Sequence, residues 1–530
     1  MSVRSAGPGP KTKMPDMNRI AYIVLISLLA TAARTQPTGW ASTNGGVTGG
    51  SAGTTVTVTN RSQLIQYATA TAPYVIQVQG AINLTLYEQV PVADNKTIVG
   101  LGTDAAIRYG GLRINGDNVI VQNLLIYDTY DGDWDGKTHS TDAITVYGAS
   151  RVWIDHCWLR TSADGLLDVR SNGASNLGDL VTISWTRFSD HNKVMLFGAS
   201  DDNTWDRDHL RITLHHCWFD GTLDKGVNQR MPRVRYGDVH VFNTYYEKVG
   251  SYCIAARIES DVVVENNYFR NLKNPLQIDD VGLGLEDPDL VATGNIFEYT
   301  TGDHQTNGTA FNPSGFYTYS ADAAKEVPAL AMNGAGRFNP ENNQAPTAVP
   351  DFVVLNNLTS PVSILAAQND IDPDGGDLRL AVILNDPKGG AGIRNNQISY
   401  QPNTGLTAPD TILYQLVDTQ GGVDTGMVVV LLPGTTAIVE APYGDRELKV
   451  FPNPVRGEAT VTFRAATTPQ VDLQLMDLNG RAVEGDFRFQ SAAGRLQTWS
   501  LDTGGLAPGV YLVQVRDGER FFVERLAVVR

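Results

Sequence analysis

Three short stretches decide the fold: VWIDHCWL at 152–159, VTISWTRF at 181–188 and ITLHHCWF at 212–219. Similar β-rich segments flank them, VIVQNLL at 119–125, VHVFNTYY at 239–246, VVVENNYF at 262–269 and VATGNIF at 291–297. Alignment sets Asn123, Cys157, Thr186, Cys217, Thr244, Asn267 and Asn295 at one equivalent position, spaced by 34, 29, 31, 27, 23 and 28 residues. Self-similarity at such periods marks a solenoid, and short strands without a helical period mark its coils as a parallel β-helix. A propeller blade needs four strands in roughly 40 residues, more than these coils hold. The repeated small polar residue is expected to form a ladder with rungs about 4.8 Å apart. Cys157 and Cys217 then lie two rungs apart, beyond the ~7 Å reach of a disulfide, and read as buried thiols.

Outward from this core, the chain of 530 residues has room for several domains. Its 52 Gly and 25 Pro exceed the usual share of roughly 12%, and charged residues at 18% fall below the usual ~25%, a balance that favours turn-rich β structure. A net charge of −16 argues against a general nucleic-acid or anionic-membrane binder. Lys11, Lys13 and Arg19 precede an apolar run at 20–29 and the small residues at 30–33, the layout of a cleaved secretory signal over 1–35 and too short for a membrane span. The solenoid is expected over 36–335, a Gly/Asn/Pro-rich linker over 336–350, and two β-sandwich modules over 351–433 and 446–530, the second with an Asn479-Gly480 turn. No second apolar stretch of membrane length follows, so the mature protein reads as exported and either soluble or tethered by other means; it is expected to be a monomer.

The chemistry gathers at 142–236. In DAITVYG the apolar Ile144 and Val146 point inward, and in DGLLDVR the inward pair is Leu167 and Val169. Asp164 and Asp168 then face outward beside Asp142 from the preceding rung, a set of oxygen donors suited to a hard cation such as Ca²⁺. In HNKVMLFG, Val194 and Leu196 are read as inward and Lys193 as outward; in QRMPRVRYG, Arg233 and Arg235 face outward and Arg230 enters before Pro232. A solvated charged face is the ordinary reading of any one of these residues. Three mutually repelling acids on adjacent rungs, followed by Lys and Arg, favour a cation-bridged groove for a polyanion instead. His156, His215, His216 and His240 fall in or next to ladder strands and read as structural.

At these residues the sequence resembles the polysaccharide lyase family 1 pectate lyases, through VWIDHCWL, ADGLLDV, VTISWTRF, HNKVMLFGASD, LRITLHHCWFD and QRMPRVRYGDVHVFNTYY. GWASTNGGVTGG at 39–50 and IQVQGAINL at 76–84 resemble that family's amino-terminal coil. The resemblance implies a right-handed parallel β-helix that cleaves polygalacturonate by Ca²⁺-assisted β-elimination, giving 4,5-unsaturated oligogalacturonates. It implies that Asp142, Asp164 and Asp168 bind Ca²⁺, Lys193 and Arg235 bind substrate, and Arg230 takes the C5 proton. Arg233 receives no chemical role. Some family members carry a further acid where this chain has Ser140, and the 220–229 loop is longer than usual. NDIDPDGGDL at 369–378 and DTILYQLVDTQGG at 410–422 resemble cadherin-like or immunoglobulin-like repeats, whose acids could bind structural Ca²⁺ or form a solvated turn. LKVFPNP at 448–454, DLNGR at 477–481 and LAPGVYLVQV at 506–515 resemble the C-terminal sorting domain of type IX secretion, which implies the secretion machinery as a partner and a secreted or surface-attached product.

Three alternatives stand beside this. A metal-free pectin lyase on methyl-esterified substrate would lack the acid cluster. A hydrolase would use Asp164 and Asp168 as acid and base, leaving Lys193 and Arg230 without a task. A surface adhesin would bind acidic glycans and cleave nothing.

Overall fold

The structure, a computed structural model, describes residues 37–279, 286–337, 343–375, 377–418 and 422–433, and in the C-terminal part 448–453, 455–464, 470–476, 482–490, 496–507, 509–517 and 520–528. The expected leader and the Asn479-Gly480 turn lie outside the described residues.

Each coil contributes one strand to each of three parallel sheets. The first sheet holds Ser150–Asp155, Asp179–Ser184, Ile212–His215 and Asp238–Phe242. The second holds Trp158–Arg160, Arg187–Ser189, Trp218–Asp220, Tyr245–Glu247, Tyr268–Arg270 and Ile296–Glu298. The third holds Ile144–Tyr147, Gly165–Arg170, His191–Phe197, Arg233–Arg235, Ile254–Arg257 and Leu276–Asp279. This is the expected parallel β-helix, all-β and followed by small sheets. Between the first and second strands every coil turns on one residue with positive φ: Asn123, His156, Trp185, His216, Asn243, Asn266 and Gly294. Asn and Gly tolerate that left-handed conformation most readily, and the single residue makes the corner.

The ladder follows immediately after this corner. Thr244 N–H donates to Asn267 Oδ1 at 2.8 Å, Asn267 N–H donates to Asn295 Oδ1 at 2.8 Å, and Cys157 N–H donates to Thr186 Oγ1 at 3.4 Å. One expected member is displaced. Leu125 is in register with Trp158, so Leu124 occupies the first rung and Asn123 lies in the corner column, its side chain donating to Gly100 O at 2.9 Å. Asn suits both positions, and composition alone did not separate them. Cys157 and Cys217 are free and buried as expected, with burial pushing the Cys157 thiol up to about 12. Inside the solenoid Phe188, Phe219, Tyr246 and Phe269 form a continuous stack that the exposed Phe297 extends at the end, with centroids 4.6–5.1 Å apart.

The helix Val327–Gly334 covers part of the second sheet's outer face, burying Val327, Ala331 and Met332 against Trp218, Tyr245 and Tyr268. Beyond it, one sandwich sets a four-stranded sheet (Asp351–Val354, Val423–Leu431, Asp410–Val417, Arg379–Ile383) against a three-stranded one around Ile398, Tyr400 and Tyr414. Its acidic segment acts as a turn: Asp370 and Asp374 accept hydrogen bonds from Val349 N–H and Gln344 N–H. A second pair of sheets, built from Leu448–Phe451 to Arg520–Val528, packs around Val461, Phe463, Leu473 and Val515.

One outward column of the second sheet stacks Asp220, Glu247, Arg270 and Glu298 in register. Asp220 is paired with Arg187 and Arg270 with Glu298, at 2.5 and 2.6 Å, while Glu247 Oε2 has no hydrogen-bond partner. Burial pushes Glu247 up to about 7, Arg270 works against that shift and Asp220 adds to it. Because the folded-state value is raised, this carboxyl favours folding below its ordinary range, and that contribution is lost as pH rises through about 7. Glu247→Gln is therefore expected to stabilise the protein at pH 9 by up to about 3 kcal/mol relative to its effect at pH 5. Urea unfolding at both pH values checks this, and a pH-independent difference would contradict it.

Candidate active site

The third sheet and its strand entrances carry the charged residues. Ile144, Leu167 and Met195 stack inward in register, as do Val146, Val169, Phe197 and Val234. Met195 and Phe197 thus continue the inward columns in the HNKVMLFG strand; of the expected pair, Val194 is also fully buried in the core, while Leu196 is only half-buried and lies outside it. An unbroken apolar run carries no period-two signal, so the slip of one residue was open in the sequence.

Asp142 is buried, with Oδ2 accepting from Thr145 Oγ1 at 2.7 Å and Oδ1 from Gly165 N–H at 2.8 Å. Asp168 Oδ1 accepts from Leu196 N–H at 3.0 Å. The two carboxylates converge on Gly165: a Cβ there would lie 2.9 Å from Asp168 Oδ1 and 3.0 Å from Asp142 Oδ1. Asp164 stands at the entrance to the same strand, beside Gly136. Burial pushes Asp142 up to about 6, with Asp164 adding to the shift, and pushes Asp168 well above its ordinary value, with Asp142 and Asp164 adding. Asp164 is also raised by burial, against the pull of Lys193, Arg230 and Arg170. The structure therefore brings the three predicted acids into one electrostatic unit, with two predicted cations beside it. Such a unit of like charges with oxygen donors suits a divalent cation. Among the described residues no group of three or more His, Cys, Asp or Glu side chains forms a ready-made cage, so water or substrate oxygens would complete any coordination sphere.

Lys193 is in register with Gly165 and directs Nζ toward Gly136 O at 3.5 Å. Arg230 has φ 65, and its Nε has no hydrogen-bond partner. A positive φ at a bulky residue costs about 1–3 kcal/mol and persists where surrounding structure dictates it. Arg235 is more constrained than a free substrate ligand: Nε donates to Asp201 Oδ1 at 2.5 Å and Nη1 to Gly198 O at 3.1 Å. Arg233 is ion-paired with Asp279 at 2.5 Å, in keeping with a structural role. The four histidines of the ladder strands lie elsewhere; His216 pairs with Asp322, His240 with Tyr317 and His156 with Asp155. Sequence reasoning missed Arg170 and Asp201. One more step of two residues beyond Asp168 finds Arg170, while Asp201 follows a turn and carried no periodic signal.

The family model described as Pectate lyase matches residues 12–336. The chain belongs to the pectate lyase family. A pectate trisaccharide-lyase of Bacillus licheniformis is 34% identical over 322 residues, covering 57% of this chain and 87% of its own length. A pectate lyase of Bacillus subtilis is 30% identical over 287 residues, covering 47% and 66%. A solved pectate lyase from Bacillus sp. N165, in complex with trigalacturonate, is 28% identical with a TM-score of 0.47, covering 57% of this chain and 98% of its own. A Bacterial Ig domain model matches residues 343–431, and a Secretion system C-terminal sorting domain model matches 449–529. The protein is thus an enzyme of the pectate lyase family carrying an export module of the type IX class.

Gly165 is the position at which Asp142 and Asp168 approach each other. Gly165→Ala would press a methyl group between Asp142 and Asp168 and is expected to lower kcat/KM on polygalacturonate about 100-fold, the scale for an ångström of misplacement. Steady-state assays alongside a thermal melt check this; undiminished kcat/KM would show that the two carboxylates need not converge.

Proposed function

We propose that the enzyme cleaves α-1,4-polygalacturonate by Ca²⁺-assisted β-elimination to 4,5-unsaturated oligogalacturonates. The observation that carries this reading is the convergence of Asp142 and Asp168 on Gly165, next to Asp164 and the cations Lys193 and Arg230. Asp142, Asp164 and Asp168 would hold the Ca²⁺. When bound, the ion stabilises negative charge developing at C5 by coordinating the substrate carboxylate. Lys193 holds a uronate carboxylate, and Arg235, fixed by Asp201, holds substrate through its remaining guanidinium N–H groups. Arg230 takes the C5 proton; the C5–H electrons form the C4–C5 double bond, and the C4–O bond breaks to release the leaving chain, which gains a proton from solvent. A guanidinium ordinarily stays protonated, so an alkaline optimum is expected.

The domain boundaries support an export route in this reading: leader at 1–35, β-helix at 36–335, linker at 336–350, sandwich at 351–433 and sorting domain at 446–530. The signal directs the chain to the secretion machinery, the C-terminal domain carries it across the outer membrane, and the enzyme acts as a secreted or surface-attached monomer. Among the described residues no helix is long and apolar enough to cross a membrane.

Ultraviolet absorbance of polygalacturonate mixed with the enzyme tests the chemistry. The unsaturated product is expected with Ca²⁺, absent with chelator, and reduced at least about 1,000-fold by Arg230→Ala, within the 10²–10⁴ typical of a lost acid–base group. Reducing ends without unsaturation would indicate a hydrolase, and neither signal in alkaline Ca²⁺ buffer across pectins would indicate a binding protein.

A further inference from the structure

Two segments meet over the strand His191–Phe197. One is the loop at 128–141, which follows the strand Leu125–Tyr127 and stands against the acid cluster: a Cβ at Gly136 would lie 3.2 Å from Asp164 Oδ1. The other is Val227–Gln229, which pairs with His191 and Lys193 and leads directly into Arg230. The loop is shaped by Asp133, whose carboxylate accepts from Lys137 N–H at 2.8 Å, Thr138 N–H at 3.0 Å and Thr138 Oγ1 at 2.9 Å. Its ends are tied to the next coil, with Thr129 N–H donating to Thr161 O at 3.0 Å and Asp164 N–H to Thr141 O at 3.1 Å. Its middle reaches the third sheet through two carbonyls. Asn192 Nδ2 donates to Trp134 O at 2.5 Å, and Lys193 Nζ to Gly136 O at 3.5 Å.

Asn192 is 3% exposed and uses both ends of its side-chain amide. Its Oδ1 accepts from Asn228 Nδ2 at 2.6 Å and from Gln229 Nε2 at 3.1 Å. A carbonyl only accepts, so Trp134 O fixes which end of the Asn192 amide is nitrogen, and the other end then requires Asn228 and Gln229 to donate. One buried side chain thus joins the loop beside Asp164 to the two residues that precede Arg230. Such a network holds a single geometry, because a buried polar group left unpaired costs about 1–3 kcal/mol. Arg230 gains from that hold: its backbone is at φ 65 and its Nε has no hydrogen-bond partner, so the chain leading into it sets where its guanidinium lies. A second contact joins the same two stretches nearer the surface, where Lys225 Nζ lies 4.5 Å from the centroid of the Tyr130 ring.

We propose that Asn192 is a positioning residue for proton removal, holding the segment that bears Arg230 at a fixed separation from the loop beside Asp164. The proposal rests on the lyase reading above, in which Arg230 takes the C5 proton, and adds the residue that sets where that base stands. Its test uses the full chain on polygalacturonate in alkaline Ca²⁺ buffer, with rates expressed per folded molecule. Asn192→Ala is expected to lower kcat about 100-fold, the scale for an ångström of misplacement, with KM within threefold. Gln229→Leu removes one of the three bonds and is expected to lower kcat about tenfold. The double variant is expected to fall no more than threefold below Asn192→Ala, because both changes break the same link. Asn267→Ala, a ladder amide that is fully buried, controls for lost packing: it is expected to lower Tm and leave kcat within twofold. An unchanged kcat in Asn192→Ala, or full additivity with Gln229→Leu, would overturn the proposal. If Asn192→Ala does not fold, Gln229→Leu decides, since an unchanged kcat there refutes the link. If the wild type makes no unsaturated product, the lyase reading fails by itself, and amide hydrogen exchange then tests the link. Asn192→Ala, or Gln229→Leu in its place, is expected to speed exchange severalfold in both 130–140 and 226–231 while 245–247 and 268–270 stay as in the wild type; unchanged exchange in either of the first two segments refutes it.

Discussion

A single coil of this molecule cannot satisfy its own backbone. Apart from the two 19-residue strands Tyr74–Val92 and Lys96–Ile114, its strands are three to seven residues long, and each donates and accepts hydrogen bonds only with the coils above and below. Every other feature depends on that stacking. Parallel register forces residues at equivalent positions into columns, so a column must be chemically compatible along its length. The Phe and Tyr stack inside, the Thr and Asn ladder at the corner and the left-handed residue before it are three solutions of that one constraint. The active groove is a fourth, in which Asp142, Asp164 and Lys193 are separated by tens of residues in sequence and by single rungs in space.

Compatibility in a column fails most readily for charge. The second sheet neutralises its buried charges in pairs, Arg187 with Asp220 and Arg270 with Glu298. The third sheet does so only at one end, where Asp201 and Asp279 absorb Arg233, Arg235 and Arg257. At the other end burial raises the proton affinity of Asp142 and Asp168, with Asp164 adding to both shifts, without an equal number of bonded cations. A folded chain tolerates such an imbalance at a site where an external ion or ligand completes it. The location of the site is therefore legible in electrostatics.

Much of this was readable in the sequence because solenoid repeats print their columns as a period. VTISWTRF and ITLHHCWF align without ambiguity, since each carries the corner residue and the ladder residue in fixed order. The reading slipped where that order was degenerate. QNLL offers Asn123 for the ladder although the corner claims it, and VMLF offers four apolar residues where two face inward. Asp164 and Asp168 were legible because strand alternation puts both on one face, whereas Asp142, Lys193 and Arg230 were placed by the order of the rungs. Asp201 was not, because it returns to Arg235 from a turn and contact across a turn has no period. The two sandwiches were legible as alternating strands between turn residues, but alternation does not say which strand pairs with which. The parallel pairing of Asp351–Val354 with Val423–Leu431 is a property of the assembled sheet.

A solenoid also suits a polymeric substrate for a physical reason that a closed pocket lacks. Each rung advances by nearly the same distance, about 4.8 Å, so a groove along the sheet presents functional groups at a regular spacing. A polysaccharide presents its carboxylates regularly too, and binding energy can then be gathered from positions remote from the cleaved bond. Such remote contacts hold the reacting unit in place, provided that the side chains making them are themselves fixed. In this protein Asp201 fixes Arg235, Asn192 holds the two residues before Arg230, and Gly165 leaves the gap in which two carboxylates meet. The groove is thus rigid by construction from the same coil-on-coil register that makes the fold.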